Sequence, residues 1–170
     1  MEVLKVDTAA SGAASAMAEL QLADGDMDRA AKTLAPALEV HPHNLSLLAI
    51  SAAIALQRAV QLETGPEPAS EAWIAADLAY RRILTLNSRD YRALLGLSRC
   101  LEGRGDIGGA IDSLWRARRN ASNRALLNDG EEPQLWHQAV QKRLLSLYKR
   151  VAEWEAGLTL PSAGRLQSNP

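Results

Sequence analysis

The sequence predicts an all-α protein in which three helical hairpins stack side by side and a long C-terminal helix caps the stack. The chain has 170 residues, of which 47% are hydrophobic, and it contains no Phe. Ala and Leu dominate, and this composition favours helices packed through small side chains over an aromatic-rich β core. Two patterns complete the prediction: a helical motif with a 34-residue step and an apolar stripe near the C-terminus.

The repeated motif is clearest in the second helix of each hairpin. Its recurring positions are Ala30, Leu34 and Ala37, then Ala76, Tyr80 and Ile83, then Ala110, Leu114 and Ala117, with steps of 46 and then 34 residues. In the first helix the matching positions are Met17 and Ala18, then Ser51 and Ala52, then Leu97 and Ser98, with steps of 34 and then 46. Both series describe one 34-residue repeat with a single 12-residue insertion between the two helices of the middle copy.

The first repeat carries clear turn and cap signals. Gly25 can adopt the positive φ that ends a helix, and Asp26 can cap the next helix. Pro42 cannot continue that helix and forces the chain to leave it. Gly105 and Asp106 repeat the same turn in the third copy.

The middle repeat and one internal proline depart from this pattern. The middle copy has the sequence QLETGPEPASEA in place of the Gly-Asp turn, and Ser88 stands where the proline would fall. Pro36 lies inside a predicted helix, where proline costs about 3 kcal/mol in an ordinary interior position. We expect a kink there, with the proline ring facing away from the packed side.

These signals divide the chain into five parts. Residues 1–10 form an N-terminal segment, and residues 11–124 form three repeats at 11–44, 45–90 and 91–124. The insertion lies around 60–71 and is predicted to be a loop extension. A connector and the capping helix occupy 125–156, and 157–170 are predicted to be a flexible tail.

A 34-residue helix-turn-helix with a small residue in each helix, a Gly-Asp turn and a terminal proline resembles the tetratricopeptide repeat (TPR). The resemblance implies a right-handed superhelix whose concave face is lined by the first helix of each repeat. TPR proteins hold an extended or helical segment of a partner protein on that face. The corresponding partner-binding positions here are Ser15, Glu19, Leu22, Ala49, Ala53, Leu56, Gln57, Arg92, Leu95, Arg99 and Glu102.

Two features of that face qualify the resemblance. TPR proteins that grip the acidic C-terminus of heat-shock chaperones use a clamp of lysine, asparagine and arginine at five inward places, and here those places are Ser15, Glu19, Ile50, Arg92 and Gly96. Only Arg92 fits the clamp, and Glu19 would repel a carboxylate. Arg99 precedes Glu102 by one turn, so an ion pair between them is an alternative to partner binding.

The predicted capping helix starts near Pro133, a residue suited to the first position of a helix. Its apolar stripe consists of Trp136, Val140, Leu144, Leu147, Val151 and Trp154. Because stacked repeats leave an apolar end that needs a cover, we expect all of these residues, including both tryptophans, to be packing residues.

The residues that could carry chemistry are few, so we expect no enzyme, no metal and no cofactor. His41 and His43 flank a helix-ending proline, where histidine suits the negative end of the helix dipole. Cys100 lies in the middle of a predicted helix and is expected to pack rather than react. Arginines 116, 118, 119 and 124 also fall near a helix end, so we expect no nucleic-acid binding.

The leading prediction is a non-enzymatic adaptor, assembly factor or chaperone that binds a segment of one partner protein. One alternative is a class II chaperone of type III secretion, to which YRALLGLSRCLEGRGDIGGAIDSL is loosely similar. Another alternative is a regulatory helical domain or a subunit of an enzyme complex. A second copy of this chain is a further candidate partner, through a homodimer at the N-terminal end of the stack. MEVLKVD is unlike a signal peptide, and the apolar stretch 45–60 is interrupted and short, so we expect a cytoplasmic protein without membrane insertion.

Overall fold

The computed structural model describes residues 2–63, 70–125 and 133–157, with side chains from residue 10 onward except at 121–137. Over these residues the chain is helical with no strand, as the sequence predicts. The helices are α1 (Glu2–Ala23), α2 (Met27–Val40), α3 (Leu45–Glu63), α4 (Ser70–Leu86), α5 (Tyr91–Gly103), α6 (Ile107–Ala125) and α7 (Pro133–Glu155).

The helices form three consecutive hairpins and a final single helix. The hairpins are α1 with α2, α3 with α4, and α5 with α6, and α7 packs on α6. The first helices also contact each other in succession, since α3 touches both α1 and α5. This arrangement places α1, α3 and α5 in one row and is the stack predicted from the repeat.

The two Gly-Asp turns have the same geometry, as predicted. Gly25 and Gly105 both have φ of 83°, a conformation that favours glycine. Asp26 accepts a hydrogen bond from the backbone N–H of Arg29 at 3.0 Å, and Asp106 accepts one from Gly109 at 2.9 Å. Each carboxylate therefore caps the helix that follows it.

The turns between repeats also match, although Ser88 has replaced the proline. Asn44 caps α3 by accepting from the backbone N–H of Ser46 at 3.0 Å, and Asp90 caps α5 by accepting from Ala93 at 2.9 Å. A capping side chain thus ends the turn whether or not it contains a proline. Pro36 is exposed, as expected, and α2 continues beyond it to Val40.

The small residues of the repeat lie where neighbouring helices meet. Of the small residues predicted for close approach, Ala18 and Ala30 are buried, whereas Ala37 is half-buried. The matching residues of the other two repeats are also buried, with no more than 1% of their surface exposed: Ala52, Ser98, Ala76 and Ala110. Larger side chains at these positions would hold the helices apart. This requirement explains why small residues occupy the matching positions both before and after the insertion.

The helices α1, α3 and α4 extend beyond the bounds that the repeat predicts. α1 begins at Glu2, so residues 2–10 belong to the first helix and are not a separate segment. α3 continues to Glu63, six residues past the position that matches the end of α1, and α4 starts three residues before the position that matches the start of α2. The part of the insertion at 60–63 is therefore helical, whereas GPEP lies outside the described residues.

α4 and α5 meet through two pairs of a glycine and an aromatic residue. A Cβ added at Gly96 would lie 2.1 Å from Cζ of Tyr80, and one added at Gly103 would lie 2.3 Å from Cε2 of Trp73. Both glycines and both aromatic residues are spaced by seven, so the pairs repeat after two turns of each helix. The aromatic rings occupy the space that side chains on α5 would otherwise fill.

α7 caps the stack over only part of its length. Val140, Leu144 and Leu147 join the main hydrophobic core, but Trp154 is 71% exposed, so its assignment as a packing residue was wrong. The apolar stripe keeps its helical period as far as Trp154, but the residues become less buried along it. Leu147 is buried, Val151 is half-buried and Trp154 is exposed. The side chain of Trp136 lies outside the described residues.

α3 is the central helix of the stack. Its 19 residues are long and apolar enough to cross a membrane by length and composition alone, so the sequence-based estimate of its length was too low. In the fold its apolar residues have protein neighbours: α1, α2, α4 and α5 all contact it, and Leu47, Ile54 and Ala59 are buried. A core helix passes the same test of length and composition.

Candidate functional site

The eleven predicted partner-binding residues all lie on the row formed by α1, α3 and α5, and all remain at least partly exposed. They belong to α1, α3 and α5, the first helices of the three repeats. Glu19, Ala49, Gln57 and Arg92 are exposed, and the other seven are half-buried. None of the eleven is fully buried, although Leu22, Leu56 and Leu95 also pack against the core.

An open cavity of about 550 Å³ lies between α3 and α5. Four of the predicted residues line it, namely Leu56, Gln57, Leu95 and Arg99. The other seven predicted residues do not line this cavity. The structure therefore brings together two predicted positions of α3 and two of α5. The predicted positions that do not line the cavity are Ala49, Ala53, Arg92, Glu102 and the three on α1.

Five further residues that were not among the predicted partner-binding positions also line the cavity: Val60, Gln61, Tyr80, Gly96 and Arg143. Of these, only Gly96 was assigned to an inward place. Val60 and Gln61 lie in the extension of α3, which was expected to be a loop. A signal for Arg143 did exist, because Arg143 and Arg150 flank the apolar stripe of α7 at a spacing of two turns. Tyr80 is a recurring position of the repeat, and it is both buried and part of the lining.

Tyr80 reaches the cavity because Gly96 has no side chain. The tyrosine is 8% exposed, and its ring lies where a Cβ of Gly96 would be. Burial raises the pKa of the Tyr80 phenol well above its usual range, and the nearby Cys100 adds to the shift. The phenol therefore stays protonated and presents a neutral hydroxyl group.

Arg99 is held from three sides at one edge of the cavity. Its guanidinium lies 3.6 Å from the carboxylate of Glu63 and 3.4 Å from that of Glu102, so the expected pair within α5 is present. The same group lies over the ring of Trp73, 5.7 Å from the centroid, at a distance typical of a cation–π contact. These contacts fix the orientation of Arg99 beside Leu95 and Gln57.

Glu102 links α5 to the capping helix. Its carboxylate accepts hydrogen bonds from Arg143 and from Nη1 of Arg150, the latter at 2.9 Å. The side chain of Glu102 is 16% exposed and those of the two arginines are 35% exposed. These ion pairs connect α5 to α7. The carboxylate of Glu102 is therefore already bound to arginines of the same chain.

A second cavity, of about 410 Å³, lies where α3 passes the first Gly-Asp turn. Its lining includes Met27, Asp28, Arg58, Gln61 and Leu62. Arg58 and Asp28 form a salt bridge at 2.6 Å between exposed side chains. The extension of α3 thus separates two cavities, and Gln61 contributes to both.

Cys100 and Asp77 are both buried in the described part of the chain. Cys100 is fully buried, and burial, with the charge of Asp77, raises the pKa of its thiol from 9.0 to about 12. Asp77 is buried and accepts from Arg104 at 2.6 Å and from Arg81 at 2.8 Å. Within residues 10–63, 70–120 and 138–157, no group of His, Cys, Asp and Glu side chains is arranged to hold a metal ion.

The fold is similar to two solved TPR-like structures. The TPR domain of Sgt2 from Aspergillus fumigatus superposes with a TM-score of 0.65 at 15% identity, covering 94% of this chain and 90% of that one. The type III secretion translocator chaperone SycD of Yersinia enterocolitica, in an alternative dimer, has a TM-score of 0.65 at 15% identity, covering 82% of this chain and 92% of that one. No family model and no curated protein matches the sequence. At this identity the similarity establishes the TPR-like fold.

Proposed function

We propose that this chain is a non-enzymatic interaction module that binds a segment of a partner protein on the face formed by α1, α3 and α5. The observation that carries the proposal is the cavity between α3 and α5, because residues predicted from two different repeats meet in it. Its volume of about 550 Å³ is within the range of about 300–1,000 Å³ typical of ligand-binding sites.

The lining of the cavity suits an apolar anchor of a peptide. Leu56, Val60 and Leu95 provide apolar surface, while Gln57 and Gln61 provide amide groups that can hydrogen-bond a peptide backbone. A helical or extended segment that inserts one apolar side chain between α3 and α5 would bury the surface that carries most binding energy in such interfaces. The remaining inward positions on α1 would contact the same segment further along the row.

The two similar structures support a module of this kind without selecting a cellular role. One is the TPR domain of Sgt2 and the other is the translocator chaperone SycD. Both superpose on this chain with a TM-score of 0.65 at 15% identity. The similarity to SycD favours a second candidate function, a chaperone that holds a secreted, membrane-active client before export. A cytoplasmic location is part of both proposals.

A matched pair of variants tests which face binds. Gln57→Trp adds an indole to an exposed wall of the cavity, and Leu78→Trp adds the same side chain to α4, where Leu78 is 61% exposed. Each tagged variant and the wild type would be used to capture partners from native cells, with quantification by mass spectrometry. We expect one dominant client to be lost with Gln57→Trp and retained with Leu78→Trp.

The opposite pattern, loss with Leu78→Trp alone, would assign binding to the outer helices and refute the groove. The identity of the client separates the finer alternatives, since a membrane-active secreted protein supports the chaperone and the subunits of one enzyme support a regulatory domain. Light scattering on the pure protein tests the homodimer, because a monomer has a mass of 18.4 kDa.

A further inference from the structure

Three arginines surround one glutamate at the α7 end of the cavity. Arg143 and Arg99 both contact Oε2 of Glu102, and Arg150 contacts Oε1. The other acidic partner in the cluster is Glu63, 3.6 Å from Arg99. These five side chains carry a net charge of +1, and each arginine remains about one-third exposed.

The hydrogen-bonding capacity of this cluster is only partly used. Each guanidinium has five N–H donors, whereas a carboxylate has about four lone-pair sites, so the donors outnumber the acceptors by roughly two to one. Nε of Arg143 is buried and has no hydrogen-bond partner among the described residues. Nε is not accessible from the cavity, but the exposed third of each guanidinium can donate to a further acceptor at this end of the cavity.

The unused capacity lies beside apolar surface. Arg99 and Arg143 line the same cavity as Leu56, Val60 and Leu95. We propose that the cavity binds an internal peptide segment in which an Asp or Glu side chain stands next to an apolar one. The apolar side chain enters between α3 and α5, and the carboxylate binds Arg99 and Arg143. This inference rests on the proposed function and names the chemistry of the partner.

This site differs from the clamp for chaperone C-termini, because Arg143 belongs to the capping helix and the clamp positions on α1 carry Ser15 and Glu19. Glu102 occupies the same two guanidiniums before a partner arrives and therefore competes with the incoming carboxylate. Removing its charge with Glu102→Gln should strengthen binding of an acidic segment. A purely structural role of the arginines predicts no such gain.

The test uses a displayed library of random 12-residue peptides selected on the purified full chain. The strongest peptide is then synthesised with an amidated C-terminus and as a form in which each Asp or Glu is replaced by Asn or Gln. Fluorescence anisotropy gives their dissociation constants for the wild type, Arg143→Gln, Glu102→Gln and the control Arg119→Gln. Arg119 is exposed on α6, so the control removes the same charge outside the cavity. Circular dichroism confirms that each variant is folded.

We expect the selected peptides to contain an acidic residue next to an apolar one. Replacing that acid or introducing Arg143→Gln should weaken binding about tenfold or more, as is usual for hydrogen bonds to charged groups. Glu102→Gln should tighten binding several-fold, and Arg119→Gln should leave it unchanged. If Arg143→Gln does not fold, the Glu102→Gln result and the neutralised peptide decide the question.

Three results would overturn the inference. Selected peptides without acidic residues, bound equally by the wild type and Arg143→Gln, would leave the proposed groove in place but reject its preference for a carboxylate. Binding that is lost when the C-terminus is amidated would assign the site to a terminal carboxylate. Selection of no peptide by the wild type, together with client capture unaffected by Gln57→Trp, would reject the proposed function and the inference together.

Discussion

The contact between Gly103 and Trp73 allows a quantitative test of how α4 and α5 pack. A Cβ in Gly103→Ala would lie 2.3 Å from Cε2 and 2.4 Å from Cδ2 of the indole. Carbon atoms in favourable contact are about 3.5–4.0 Å apart, so the ring would have to move by more than about 1 Å. Trp73 is 2% exposed and belongs to the main core, so its neighbours would have to move as well.

The expected cost follows from two opposing terms. Overpacking a core costs about 1–3 kcal/mol. Replacing glycine by alanine in a helix returns at most about 1 kcal/mol, and less at Gly103 because it is the last residue of α5. We therefore expect Gly103→Ala to lower the free energy of unfolding by about 1–2 kcal/mol, which lowers Tm by roughly 2–8 °C for a chain of this size.

Thermal and urea unfolding followed by circular dichroism would measure the effect. Gly12→Ala is the matched control, because Gly12 lies inside α1 and a Cβ there meets nothing within 4 Å. That variant should gain up to about 1 kcal/mol. In a Trp73→Leu background the cost of Gly103→Ala should shrink, since the indole is gone. An equal gain from both alanine variants, or an equal cost of Gly103→Ala in both backgrounds, would refute the packing argument.

Three further predictions concern stability and reactivity. Asp26→Ala and Asp106→Ala should each destabilise the chain by about 1 kcal/mol through loss of a helix cap, measured by urea unfolding. Asp77→Asn should cost about 1–2 kcal/mol, because it removes the charge of a buried acceptor whose partner Arg104 keeps some access to water; an unchanged urea midpoint would contradict this. The Cys100 thiol should resist iodoacetamide at pH 8 and react after denaturation, since its pKa is raised to about 12. That raised pKa favours the protonated folded state, so its contribution to stability is complete below pH 9.0 and is lost between pH 9.0 and about 12.

The sequence was sufficient for the architecture because the repeat is encoded in steric requirements. Ala18, Ala52 and Ser98 are interchangeable only with other small residues, so their spacing revealed the stack and the presence of an insertion. The form of the insertion was harder to predict. Helix α3 continues to Glu63 although Gly65, Pro66 and Pro68 follow closely, and a helix end next to such residues is not defined by composition alone.

The candidate site was only partly predictable for a related reason. Inward positions were assigned from the resemblance to the TPR, and four of them, Leu56, Gln57, Leu95 and Arg99, line the cavity. Arg143 depends on how α7 crosses the end of the stack, which no local period specifies. The exposure of Trp154 has the same origin, since its period is that of a core residue but its position lies beyond the neighbours that bury Leu147.

The extension of α3 also determines how far the repeats can be treated as modules. Val60 and Gln61 line the cavity and Glu63 holds Arg99, and all three lie past the point where an unmodified repeat would have left its first helix. Replacing the middle repeat by a copy without the extension would preserve the stack but remove Val60 and Gln61 from the wall that α3 contributes to the cavity. The chain is built as an array of repeats, but its middle repeat carries an extension that the other two lack. Duplicating, exchanging or shortening that repeat would therefore change the lining of the cavity.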